Sequence, residues 1–536
     1  MSGVVLPQVT YGIICGMEKA ATDIYTFENL RSGGFVYVDK TATLKQLADL
    51  SRGTQFFIAR PRRFGKSLAV STLKCLFEGR RECFKGLAIE PEWDWSKKWP
   101  VIHIDMGTMQ YDTVAELSAA LTSYLQGEGD RLGVHVEKGL SVPEMFRRLI
   151  MSAAETSDDG HVVVLIDEYD KPLLRTLNTP AATEFKNFLK PFYGVVKYEE
   201  RFLRFTFITG VSKFSKVSIF SDLNNIKDYT FNPVVATLFG YTHEEVGKYF
   251  PQSLAMLGEK LGKTADEAFA DIVKWYDGYK FHQDAEPVIN PVSLGMTFDA
   301  MELGNWWSLT AMPTFLMDFF RTRPLDVSDL SVTDADLAAY EPEHLKPVTL
   351  LFQTGYLTIK GFEQIGGVRR YFLKFPNLEV ESSFLTDLSA LYIGSDNSGS
   401  ANIAAEVMKS LYARAPERFV EMFRRFFASI PYDLTDRQNE QSWQAIMYVV
   451  LRIIGINVGG EVRTHKGRID LTVETDTDAY IIEVKRDSTA KKAIEQIQAK
   501  EYTDRFRLAG KPITLIGMSF STKKRTISGV KIVKDA

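Results

Sequence analysis

Cysteine is scarce in this sequence: Cys15, Cys75 and Cys83 are three residues in 536 and form no Cys-x-x-Cys pair. That excludes a disulfide framework and a zinc ribbon, and it fits a reducing, cytoplasmic setting. A long apolar run is also missing. The longest, AIMYVVLRIIGINV at 445–458, is broken by Arg452 and falls short of the roughly 20 residues of a membrane helix. The N-terminus lacks the basic-then-apolar order of a signal peptide, so no membrane partner is expected. Positive charge is not in excess, the formal net charge being −4. This argues against a chain coated in basic patches for tight, sequence-independent nucleic-acid binding, and any such surface must be local. No contiguous stripe of aromatic and basic residues, no repeat and no low-complexity tract stands out.

The chain is too long for one hydrophobic core, because cores stop growing at roughly 250 to 300 residues. Over 1–240, short apolar runs (TQFFIA, PVIHIDM, HVVVLIDEY, RFTFITGVS) alternate with amphipathic stretches. Buried strands alternating with helices predict an α/β unit with a parallel sheet covered on both faces. Over 241–393 the pattern turns to helices with aromatic turns such as WYDGYKF and GNWWSLT, predicting a mostly helical middle region. GSDNSGSAN at 394–402 reads as a linker. From there to 536 the order helix, strand, strand, helix, strand predicts a smaller α/β domain. Its last part, 461–536, is locally basic, with 16 Lys and Arg against 11 Asp and Glu.

The first chemical motif is FFIARPRRFGKSLAV at 56–70. A phosphate-binding loop needs an apolar strand, a tight turn with inward N–H groups, a lysine for the terminal phosphates and a hydroxyl for Mg²⁺ at a helix N-terminus. FFIA supplies the strand, RPRRFGKS the turn with Gly65, Lys66 the cation and Ser67 the hydroxyl. Arg60 stands where such a loop usually opens with glycine, so the loop either keeps an ordinary backbone there or is reshaped. Arg62 and Arg63 lie inside the turn, where each either adds charge toward the phosphates or is solvated. About a hundred residues on, the apolar strand VVVLIDEYD ends in Asp167, beside the expected Mg²⁺ shell, and Glu168, suited to orient and deprotonate an attacking water. A third strand, FTFITG, ends near Thr209, the place of a polar γ-phosphate sensor. Lys213 and Lys216 follow, either as further charges or as solvent-facing lysines.

The second constellation lies near the C-terminus. GRID ends a strand at Asp470, and IIEVK places Glu483 and Lys485 two residues apart and so on one face of a strand. A hairpin of this length brings Asp470 beside them. Two carboxylates and a lysine at such spacing hold Mg²⁺ and act on a phosphodiester. A lone Glu-x-Lys is ordinarily a surface pair, but apolar flanks place this one in a buried strand where charge without a partner is costly. Glu440, in the helical stretch NEQSWQAIMYVV, offers a further carboxylate to the metal. Gln496 lies on the covering helix, where it either bonds the site or is an exposed polar residue.

Taken across both sites, the chain resembles, almost end to end, a family of bacterial and archaeal proteins. These have an AAA-ATPase-like N-terminal domain and a C-terminal domain of the PD-(D/E)XK nuclease superfamily. The resemblance rests on YVDKT, RPRRFGKSL, LIDEYDKP, FITGVSKFSKVSIFSDLNN, FGYTHEEV, WYDGYKF, TGYLTI and GRIDL through EVK. It implies a P-loop NTPase sheet over 1–240, a helical middle or lid over 241–393 and a restriction-endonuclease-like α/β domain over 394–536. It implies binding of ATP foremost, or else GTP, through Lys66 and Ser67, with Mg²⁺, and makes Asp167 and Glu168 the Walker B pair, with RPRRFGKS replacing the glycine-led loop. It implies that Asp470, Glu483 and Lys485 match the nuclease signature, with Glu440 in the accessory-helix position. Asp39 and Lys40 of YVDKT have no chemical role that follows from the residues, and a structural turn is the default.

The expectation is an ATP-binding, ATP-hydrolysing protein coupled to Mg²⁺-dependent cleavage of nucleic acid, DNA foremost. The rival is an ATP-operated switch whose nuclease-like domain binds nucleic acid or a partner without cutting. Whether the ATPase forms a homo-oligomer is left open.

Overall fold

The computed structural model describes residues 18–50, 53–177, 179–213, 226–307, 316, 330–338, 346–393, 409–410, 413–429, 457–464, 467–474, 478–499, 503, 511–521 and 526–535. The 394–402 linker, Glu440 and Lys216 lie outside these residues, as does the Asp470 side chain. Two short helices, α1 (Phe27–Ser32) and α2 (Thr41–Ala48), precede β1 (Gln55–Ala59) and α3 (Lys66–Phe77). Then come β2 (Val101–Asp105), α4 (Val114–Leu132), α5 (Val142–Glu155), β3 (Val162–Asp167), α6 (Lys171–Arg175), α7 (Ala182–Tyr198), β4 (Leu203–Gly210) and β5 (Ile226–Asp228).

These five strands form one parallel sheet in the order β2-β3-β4-β1-β5. Every residue of β1 and β3 is buried. Successive side chains alternate between faces: Phe57, Val164 and Ile166 pack on the side of α4, α5 and α7, whereas Phe56, Ile58, Val163 and Leu165 pack on the side of α1, α2 and α3. Two-sided burial is why these strands read as unbroken apolar runs. Because all five run the same way, the loops after β1, β2, β3 and β4 gather at one edge, where open α/β sheets bind ligands.

The middle region carries helices His243–Tyr249, Pro251–Leu261, Ala265–Tyr276 and Pro291–Ala300. Thr242 with Glu245 and Thr264 with Glu267 close capping boxes at two of their N-termini. This region also holds strands that its helical pattern hides. β6 (Ser331–Thr333), β7 (Thr358–Ile365) and β8 (Val368–Lys374) form an antiparallel sheet in the order β6-β8-β7. Helix Pro347–Thr354, buried from Val348 to Thr354, ties this sheet to the parallel one: Gln353 Oε1 accepts the Lys213 backbone N–H at 2.8 Å.

The C-terminal sheet runs β13-β12-β11-β10-β9, from β9 (Asn457–Thr464), β10 (Gly467–Glu474), β11 (Ala479–Arg486), β12 (Ile513–Ser521) and β13 (Thr526–Asp535). β9 and β13 extend the three strands that the sequence pattern suggests. β10 pairs antiparallel with β11, and β11 parallel with β12, so the chain must cross over between the last two. Helix Ala490–Ala499 makes that crossover, burying Ala493, Ile494 and Ile497. Gly517 permits it, since a Cβ there would meet the Ala490 carbonyl oxygen at 2.5 Å. Among the described residues no helix is long and apolar enough to cross a membrane.

Candidate active sites

The loop between β1 and α3 is built around Arg60. Its backbone is ordinary; the left-handed residues are Arg63 (φ 67°) and Gly65 (φ 82°). The Arg60 guanidinium is buried and points into the body of the protein, donating to the carbonyls of Ala59 (2.9 Å), Thr230 (2.7 Å) and Val235 (3.0 Å). It lies 4.2 Å from the centre of the Phe281 ring. Burial lowers its pKa to about 9, which leaves it protonated at neutral pH. A glycine here would have no such root, so this arginine anchors the loop rather than facing a phosphate. Arg60→Met should therefore cost about 3 kcal/mol or more, since three carbonyls lose their donor inside the protein. Denaturant titration reads the loss directly, and an unchanged midpoint would refute the anchoring role.

Lys66 is buried, and its ammonium donates to the carbonyls of Arg60 (3.0 Å) and Pro61 (2.8 Å). Burial lowers its pKa, opposed by Asp167, Glu168 and Asp170 nearby. Asp167 ends β3 almost fully buried; burial raises its pKa, opposed by a hydrogen bond from Ser67 and by the Lys66 charge. Lysine, hydroxyl and strand-end acid are thus together. Oxygen donors from Ser67 and Asp167 fit a hard cation such as Mg²⁺.

Glu168 takes a left-handed backbone (φ 49°) and donates its N–H to Asp167 Oδ1 at 2.8 Å. Its carboxylate is half exposed and lies 3.5 Å from Lys171 Nζ. It leans over Gly107, where a Cβ would come within 2.5 Å of Glu168 Oε2 and 2.8 Å of Asp105 Oδ1. Any side chain at 107 would displace it.

Two acids beside these escape motif reasoning. Asp105 ends β2 in register with Asp167, and burial first, then Asp167 and Glu168, raises its pKa to about 6. Asp170 is buried and accepts the N–H groups of Val211 (3.2 Å) and Ser212 (2.6 Å), locking the end of β3 to that of β4. The third acid of DEYD is its only signal in the sequence. A cavity of about 940 Å³ opens over these groups, with Lys66, Ser67, Asp105 and Glu168 at one end and Ile24, Val38, Tyr241 and Val292 along its walls. Its size falls within the roughly 300–1,000 Å³ of small-molecule sites.

The remaining residues divide. Arg62 is exposed at the cavity wall. Arg63, also on that wall, donates to the Trp306 carbonyl at 3.0 Å, toward the middle region. Thr209 lies inside the sheet, donating its hydroxyl to the Ile58 carbonyl at 2.8 Å. Lys213 pairs with Asp228 at 3.0 Å. Lys40 clasps both Glu245 oxygens at 2.6 Å and the Thr237 carbonyl at 2.8 Å, while Asp39 accepts from Thr41 and Ala88, so YVDKT ties the N-terminal segment down.

Behind Arg63 sits Glu379, fully buried, accepting from Ser293 Oγ and the Trp307 N–H, both at 2.8 Å. Burial raises its pKa to about 7. An acid that keeps its proton in the folded state but loses it near 4.5 when unfolded gives stability that is full below that value and is lost as pH rises through 7. Between pH 5 and 8 the loss should reach about 2 to 3 kcal/mol. Melting curves of Glu379→Gln should show a weaker decline over that interval, and a parallel decline would contradict the assignment.

At the C-terminal sheet, Glu483 is fully buried on β11 and accepts from Lys485 Nζ at 2.9 Å on its Oε1. Gln496, on the crossover helix, donates to the same oxygen. The β10–β11 register runs from Glu474 with Ala479 to Leu471 with Ile482, and Asp470 and Glu483 are the next residue on each strand.

Residues 22–220 match the AAA-ATPase-like family, described as a predicted AAA-ATPase, and residues 438–529 match the PD-(D/E)XK nuclease superfamily. The chain is 35% identical over 527 residues to the "Uncharacterized protein in vnfD 5′ region" of Azotobacter chroococcum mcd 1, covering 96% of this chain and 98% of that one. Among solved structures it matches the Aeropyrum pernix ORC2 protein, solved as ADPNP–ADP complexes, at 11% identity and a TM-score of 0.27. That match covers 65% of this chain and 88% of the other.

Proposed function

The chain belongs to the family that joins a predicted AAA-ATPase domain to a PD-(D/E)XK nuclease-superfamily domain, and on that premise we propose an ATP-hydrolysing protein whose C-terminal domain cleaves DNA. Lys66 and the loop N–H groups bind the triphosphate, and Glu168 takes a proton from the attacking water. Asp470, Glu483 and Lys485 form the phosphodiester-cleaving site. Ser67 and Asp167 at one site, and Asp470, Glu483 and Glu440 at the other, would hold Mg²⁺, whose charge would offset that of the phosphate oxygens. Lys485 keeps its ammonium beside Glu483, where it orients a water or neutralises developing charge. The observation that carries the reading is the Lys485–Glu483 hydrogen bond on a buried strand, with Asp470 one register step away.

A second reading is an ATP-operated switch whose nuclease-like domain grips nucleic acid without cutting. The double hydrogen bonding on Glu483 Oε1 favours it, because a metal would have to compete with Lys485 and Gln496. The test is a cleavage assay of the purified chain on plasmid DNA with Mg²⁺ and ATP, alongside EDTA and no-nucleotide controls. Cutting that needs Mg²⁺ is the expected result. Intact DNA, with no calorimetric Mg²⁺ or Mn²⁺ binding even when DNA is present, would favour the switch.

A further inference from the structure

The β7–β8 hairpin stands apart from the rest of the described surface. Eight large apolar side chains are exposed among the described residues, and three of them lie here: Phe362, Val368 and Phe372. Scattered singly such residues mean little, but gathered on one ribbon they call for a partner. The charges on the ribbon point to its nature. Between Thr358 and Lys374 there are four cations, Lys360, Arg369, Arg370 and Lys374, against the single carboxylate Glu363, in a chain whose overall charge is negative.

The pairing arranges them. Ile359, Tyr371 and Leu373 are buried and face the core, with Val332 of β6 paired to Tyr371. The alternate residues on β8, Arg370, Phe372 and Lys374, therefore lie on the outer face. A register shift on β7 between Ile359 and Gly361 brings Gly361 opposite Phe372, with exposed Lys360 the residue just before it. Phe372 is 37% exposed, and the Arg370 guanidinium lies 5.5 Å from its ring centre. Nearer the tip, on the face of Tyr371 rather than that of Phe372, Arg369 stands 5.7 Å from the Phe362 ring. An aromatic ring flanked by cations on an open sheet face is what an unpaired nucleotide strand needs: bases stack on the ring and phosphates meet the cations. A duplex keeps its base faces covered by its own stacking.

We infer that the outer face of the β6-β8-β7 sheet is a docking surface for single-stranded nucleic acid, with Phe372 as stacking platform and Lys360, Arg370 and Lys374 as phosphate-binding cations. This rests on the reading of nucleic acid as the protein's substrate, and places its grip on a sheet separate from the cutting strands.

The test is fluorescence anisotropy of the full chain with a labelled oligo-dT strand, and with that strand annealed to its complement. EDTA is present and nucleotide absent, so that binding is measured without cutting. Lys360→Gln/Lys374→Gln should weaken single-strand binding and make the slope of log K against log salt shallower by about 1.4, roughly 0.7 for each phosphate left without its lysine. Phe372→Ser should weaken it by roughly 5- to 150-fold while leaving the salt slope as it was. Melting temperature and ATP hydrolysis should match those of the parent chain. Binding that survives all three changes would overturn the inference, as would a preference for duplex that ignores Phe372→Ser. A shift in oligomeric state on sedimentation would do the same by assigning the face to a second copy. Weakened binding in a chain that never cuts leaves the surface standing and removes only the cleavage reading; full cutting and binding by the variants does the reverse.

Discussion

Glu483→Gln should lower Mg²⁺-dependent DNA cleavage by about 10² to 10³-fold, the scale of losing one partner to transition-state charge, and should leave ATP hydrolysis unchanged. The substitution keeps the size of the side chain, and its amide oxygen can still accept from Lys485, now 2.9 Å from Glu483 Oε1. What it removes is a negative charge at the centre of a buried set. Lys485→Ala should also abolish cutting, but with a different signature. It deprives a fully buried carboxylate of its cation, so the domain itself loses stability. Comparing the two by gel-based cleavage and by thermal melting separates chemistry from folding. If Glu483→Gln cuts at the parental rate, the C-terminal site is not the one that cleaves.

Glu168→Gln should reduce the ATP hydrolysis rate by roughly 10²- to 10⁴-fold, the range of a lost general base, while ATP still binds. The structural grounds are specific. Glu168 is held in a left-handed backbone, braced by Lys171 at 3.5 Å and seated over Gly107, at the mouth of the cavity that Lys66 and Ser67 line. Its ion pair is with Lys171, outside the phosphate loop, and it accepts neither of the Lys66 hydrogen bonds to the Arg60 and Pro61 carbonyls, so the loop should keep its shape when the carboxylate is neutralised. Steady-state phosphate release together with equilibrium binding of a fluorescent ATP analogue distinguishes the outcomes. Loss of binding and turnover together would make Glu168 a structural residue, and undiminished turnover would pass the role of base to another acid, Asp105 being the nearest by register to Asp167.

Much of the parallel-sheet unit is legible in the sequence because its signals are local. β1, β3 and β4 are apolar runs, and the Gly65-Lys66-Ser67 turn must follow one of them directly. Glu483 and Lys485 share a face by strand periodicity alone, and their 2.9 Å hydrogen bond follows from it. What is not legible depends on distance along the chain. Arg60 looks like a defect in a phosphate loop; its partners Thr230 and Val235, and the Phe281 ring beside it, are remote in the chain, and only their convergence makes it an anchor. Asp105 and Asp170 gain their places from strand order, since β2 lies beside β3 and β3 beside β4. The basic and aromatic residues of β7 and β8 form no stripe in the linear order because core-facing residues separate them.

The amino-acid order by itself determined that the runs of β1, β2, β3 and β4 are buried strands, which glycine and lysine stand where α3 begins, and which acid and amine sit two apart on a strand, because each depends on neighbours within a few residues. The tertiary structure alone decided that Arg60 roots the loop and that Asp170 locks two strand ends. In each case the energy comes from pairing groups far apart in the chain, and no local pattern encodes which of them will meet.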